Sequence, residues 1–190
     1  MKKIVFLLLA GLLVGSNVSA QVLDVNFAGF TFKGNAAELE NLYPNVYEIS
    51  QEVLADDRLV LNAAISERLK NVELDNVKIH LELAETDERP LTLALCFDNE
   101  STAIESYDQG YKLGIILSAQ AVLFNFKERK IVANFPIMVE LIDFVETEPD
   151  SALIKSRIRD LFLTDKYKIN LLDDFIDVLQ DANIKESYGS

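Results

Sequence analysis

The chain has 190 residues, 49% of them hydrophobic, with 31 acidic against 18 basic side chains and a formal charge of −13. A chain this acidic is repelled by phosphate backbones and anionic head groups, so nucleic acid and anionic membrane surfaces are not expected partners. A single cysteine excludes an intramolecular disulfide, and one histidine with one cysteine is too few for a zinc site built on those ligands.

The first twenty residues have the three parts of a cleavable signal peptide. Lys2 and Lys3 are the positive start, residues 4–14 are an apolar run broken only by Gly11, and Val18-Ser19-Ala20 is a small-residue cleavage pattern. The run falls well short of the roughly 20 residues that span a bilayer. No cysteine near the cleavage site offers a lipid attachment point. Cleavage after Ala20 removes twenty of 190 residues and two lysines, leaving 170 residues that begin at Gln21 with a formal charge of −15. The lysine-led leader is of bacterial style. The expected product is a soluble domain over residues 21–184, periplasmic or secreted, followed by a polar tail at 185–190.

Residues 24–33 read as a strand. Val25 and Phe27 share one parity and Phe30 and Phe32 the other, so a bulge at Ala28-Gly29 would bring all four to one face. Asn35, with Glu38 three residues on, reads as a helix cap. Pro44 interrupts that stretch, and Val46, Ile49 and Val53 resume helical spacing. A firmer helix is expected over 57–71, with Leu61, Ala64, Ile65 and Leu69 on its inner stripe and Asp56 and Asp57 at its positive end.

The middle of the chain alternates with a period of two. Val77, Ile79, Leu81 and Leu83 form one half-buried strand. Leu91, Leu93, Leu95 and Phe97 form the next, after a polar loop at 85–90. Residues 102–107 read as a short strand. Residues 111–142 read as a long antiparallel hairpin turning at 127–129. Its first arm starts on Tyr111, Leu113, Ile115 and Leu117 and changes parity at Val122, Phe124 and Phe126. Its second arm buries Ile131, Ala133, Phe135, Ile137, Val139 and Leu141. Two helices close the chain, one starting at Pro149-Asp150 and one capped by Asn170. The expected fold is α+β, a curved or twisted antiparallel sheet with a long hairpin and helices packed on one face.

Chemical motifs are absent. There is no G-x-S-x-G, no H-E-x-x-H, no glycine-rich phosphate loop and no EF-hand spacing. His80 falls between Lys78 and Glu82 on a wet strand face, with no nucleophile or orienting partner signalled by the sequence. Cys96 has apolar and acidic neighbours, the wrong surroundings for a reactive thiol, and is expected to lie under helices. The acidic groups at 56–57, 85–88, 146–150 and 173–177 sit in loops or at helix starts, where capping and solvation account for them. The aromatic groups Phe27, Phe30, Phe32 and Phe124, Phe126, Phe135 read as core. No catalytic residue, cofactor or metal site is expected.

These readings favour a non-enzymatic binding or assembly module of the bacterial envelope or secretome, with another envelope protein as its partner. The alternatives are a small carboxylate-based hydrolase and a carrier of an apolar ligand. The strand at 130–142 is expected at a sheet edge, because Pro136 lacks an N–H and Glu140 and Asp143 bring edge-guarding charge. Val132, Asn134, Pro136 and Met138 are its candidate partner-facing residues.

Overall fold

The computed structural model describes residues 22–81, 90–182 and 184. The signal peptide, the start at Gln21, the tail at 185–190, the strand positions 82–84 and the acidic loop at 85–88 lie outside the described residues. The elements in chain order are β1 (Leu23–Phe32), a short 3-10 turn, α1 (Leu39–Leu42), α2 (Pro44–Ser50), α3 (Val60–Lys70), β2 (Val77–His80), β3 (Leu91–Tyr107), β4 (Gly110–Asn125), β5 (Lys130–Val145), α4 (Ser151–Leu163) and α5 (Leu171–Asp181).

The strands form one sheet in the order β2-β1-β3-β4-β5. β3, β4 and β5 are an antiparallel meander. β1, however, runs parallel to both of its neighbours, so the sheet is mixed and the expectation of a purely antiparallel sheet is corrected. The reason lies in the connection. Residues 33–76 leave the end of β1, pass through three helices and return to its start, which is how parallel strands must be joined. Alternating hydrophobicity reports that a strand is half-buried and carries no information on its direction.

The bulge in β1 stands where the alternation breaks. The register with β3 shifts between Phe27 and Gly29, and Gly29 has φ +102°. Val25 and Phe27 are buried, and Phe30 and Phe32 pack on the same core. Asn62 of α3 closes the bulge, its Oδ1 accepting from the Phe30 N–H at 2.7 Å.

The core fills the space between one sheet face and the helices. Leu93, Leu95, Phe97, Leu113, Ile115 and Leu117 meet Val46, Ile49, Leu61, Ile65, Phe162 and Phe175, all fully buried. Each such side chain stabilises the fold by about 1.5–3 kcal/mol relative to exposure. Three sequence expectations shift in detail. Residues 102–107 are not a separate strand but the second half of β3, which bulges between Phe97 and Asn99 and continues. The inner parity of β4 does not change, because small Ala119 and Ala121 keep it while Val122 and Phe124 take the other face. Ile131 is exposed, because an extra residue at Val132 breaks the β4–β5 register there.

The helix caps follow the side chains. Asp150 accepts from the Leu153 N–H at 2.7 Å and Asn170 from the Leu172 N–H at 2.9 Å. α3 starts at Val60 rather than Asp57, since Asp57 sits in the left-handed region at φ +63° and Asp56 turns to bind Arg58. The start of α2 is satisfied from afar. The Glu100 carboxylate of β3 accepts from the Asn45 and Val46 N–H groups at 3.2 and 2.9 Å, tying the helical layer to the sheet.

Candidate functional site

β5 is an edge strand of the sheet. The register fixes which of its backbone groups are free. β3 and β4 are joined by the two residues Asp108 and Gln109, so Tyr107 and Gly110 are the hydrogen-bonded closing pair. Even-numbered residues of β4 therefore face β3 and odd-numbered residues face β5. Leu113, Ile115, Leu117, Ala119 and Ala121 pair with Asp143, Leu141, Val139, Ile137 and Phe135. The N–H and C=O groups of Asn134, Pro136, Met138, Glu140, Ile142 and Phe144 then point to the open edge. Pro136 stands where its missing donor takes nothing from the ladder.

The side chains of that outward set lie on the sheet face opposite the helices, since Ile137, Val139 and Leu141 between them are buried. Met138 is 65% exposed, Ile142 51% and Phe144 71%. Asn134 is exposed, and its Nδ2 donates to Gln120 Oε1 at 2.7 Å. Gln120 in turn donates to Asp98 Oδ2 at 2.6 Å. Val132 is half-buried against the core at the register break, so of the four sequence candidates it is the one turned from solvent. Ile142 and Phe144 were missed by sequence reasoning. The signal was the period of two running past residue 142, which sets them on the face of Met138.

At the far end of this edge, Tyr107, Gln109, Gly110, Tyr111, Phe144 and Glu146 line an open hollow of about 330 Å³. Beside it the Tyr107 hydroxyl donates to Glu105 Oε2 at 2.6 Å, and Lys112 Nζ lies 3.2 Å from Glu105 Oε1. The Tyr107 hydroxyl first, and Lys112 second, hold the Glu105 carboxyl below the usual carboxylate range. The two carboxylates near Lys112 differ in their partners. Glu105 binds it, whereas Glu140 has no ion pair among the described residues.

His80 Nε2 lies 2.6 Å from Asp24 Oδ1, a pair bridging β2 and β1 on the helix-free face. Among the described residues no three His, Cys, Asp or Glu side chains converge as a metal cage. Of the acidic residues described, Asp56 binds Arg58, Asp150 caps α4 and Asp173 binds Arg68. A second open hollow, of about 310 Å³, lies between the end of β1 and the first helices, with Phe30, Phe32, Leu39, Tyr47, Leu59 and Asn62 among its walls.

Cys96 corrects the expectation of helix cover. It alternates with buried Leu95 and Phe97 and so lies half-buried on the opposite, helix-free face. Burial first, and the Asp98 charge second, push its thiol upward, with Lys33 acting the other way. The thiolate is the reacting species. Labelling by a maleimide or Ellman-type reagent at mildly alkaline pH should therefore be slow in native buffer and fast in denaturant, and equal rates would contradict the shielding of this half-buried thiol.

None of the described helices is long and apolar enough to cross a membrane. No protein-family model matches the chain, and no curated protein matches it. Among solved structures it is similar to a hypothetical protein from Chlamydia trachomatis, with 10% identity over 63% of this chain and 70% of that one and a TM-score of 0.32. It is also similar to rare lipoprotein B from Shewanella oneidensis, with 14% identity over 87% of this chain and 93% of that one and a TM-score of 0.29. At these TM-scores neither likeness carries an argument about this chain.

Proposed function

We propose that the chain is an exported, non-enzymatic binding or assembly module of the bacterial envelope that docks another envelope protein along β5. The observation that carries this reading is the coincidence, on one edge strand, of outward backbone groups with the exposed apolar side chains of Met138, Ile142 and Phe144. An open edge accepts a partner strand through main-chain hydrogen bonds, and side-chain hollows add selectivity. Export rests on Lys2, Lys3, the apolar run at 4–14 and the Val18-Ser19-Ala20 pattern.

A photo-crosslinker placed singly at Val132, Asn134 and Met138 in the native compartment tests the edge. Met138 and Asn134 should capture a partner protein strongly. Val132, half-buried, should capture it more weakly, and the exposed helical positions Glu67 and Gln180 should not capture it at all. Capture at the helical positions with none on β5 would move the docking surface elsewhere.

A further inference from the structure

The outward set of β5 holds one charged side chain. Between Asn134 and Phe144 the outward positions are Pro136, Met138, Glu140 and Ile142, so a lone carboxylate sits between two exposed apolar side chains. Lys112 feels the Glu140 charge, but its ammonium is held by Glu105. Among the described residues Glu140 has no partner.

Resting on the edge-docking reading above, we infer that the docked segment is an extended strand of a partner protein bearing a lysine or arginine opposite Glu140. Apolar side chains two positions to either side lie against Met138 and Ile142, and the next one beyond Ile142 seats in the hollow beside Phe144. Charge complementarity selects this occupant. A second copy of the exported chain carries the same formal charge of −15 and would bring its own Glu140 to the shared edge. Like charges facing each other across strands are destabilising, and opposite charges stabilise. The carboxylate is exposed, so the ion pair supplies selectivity and register, while backbone bonds and apolar contact supply affinity.

The test uses nine-residue synthetic peptides of alternating valine and threonine that differ only at the central residue, lysine, glutamine or glutamate. Their binding to the full exported protein is followed by fluorescence anisotropy at low ionic strength. The lysine peptide should bind about tenfold tighter than the glutamate peptide, with glutamine between them. The span should shrink as salt is added. Glu140→Lys should invert the order, and Phe144→Ala should weaken all three peptides alike. Bound peptide should slow amide exchange at Met138, Glu140 and Ile142. Equal binding of the three peptides, or an order that Glu140→Lys leaves unchanged, would overturn the inference. So would the absence of peptide binding, or a concentration-dependent dimer that excludes the peptides. Partner capture from Met138 together with any of these results would leave edge docking standing and remove only the basic strand. Loss of capture as well would remove both.

Discussion

Phe97→Ala is expected to remove about 3–5 kcal/mol of stability and to lower the melting temperature by roughly 10 °C. Phe97 is fully buried, and its ring meets those of Phe30, Phe32, Tyr43 and Phe162 at centroid distances of 6.1, 6.0, 5.3 and 6.1 Å. It is therefore the point where β1, β3, the first helices and α4 share one contact. Truncation empties that point, and the surrounding rings, held on β1, at the junction of α1 and α2, and on α4, cannot all close in. Its backbone carbonyl also accepts from the Lys33 N–H at 2.8 Å, so the end of β1 is held by the same residue. Phe97→Leu keeps most of the volume and should lose much less. Urea unfolding monitored by far-UV circular dichroism measures both, and a loss below about 1 kcal/mol for the alanine variant would mean that the aromatic group is not the centre of the core.

Gly110→Ala should be the most damaging small substitution on the sheet. A Cβ at Gly110 would lie 2.4 Å from the Val145 backbone oxygen, and φ is +138°, a region that side chains rarely adopt. The obstacle is backbone, so relief requires β4 and β5 to part at the tip. Overpacking and backbone strain together predict a loss of about 2–4 kcal/mol. Amide exchange should quicken around Tyr111 and Val145, while α5 keeps its protection. Gly114→Ala is the control, since its new methyl meets nothing nearer than 3.9 Å and should change stability little. Equal losses at the two glycines would contradict the contact geometry.

Much of the sheet was legible because alternation survives in strands that are buried on one face. Ile137, Val139 and Leu141 are inner, as their period requires, and the mismatch of parity between Phe27 and Phe30 located the bulge at Gly29. The caps at Asp150 and Asn170 were legible because a short polar side chain before an apolar stripe has few other uses. Strand direction was not legible, because Leu91, Leu93 and Leu95 look the same beside a parallel or an antiparallel neighbour. The inner parity of β4 was misread because Ala119 and Ala121 are small and Val122 and Phe124 are large, although the small pair is the buried one. At the candidate site, Pro136 and Glu140 pointed to an edge. The apolar extent of that edge, out to Phe144, depended on where the hairpin ends. The hollow beside Phe144 joins Tyr107 and Tyr111 to it across three strands, and no local pattern encodes such a meeting.

The interior position of β1 sets an order of assembly. Val25 meets Leu91 and Phe32 meets Phe97, partners 66 and 65 positions apart, whereas the β3–β4 ladder starts from Tyr107 and Gly110, three positions apart. Short loops close first and distant pairings follow, so the meander should zip from its turns before β1 arrives. Until then β3 presents a bare hydrogen-bonding margin and the helical layer has only part of its floor. The insertion of β1 between β2 and β3 should be the last slow event, and the half-built sheet before it should be the species most exposed to wrong strand pairing.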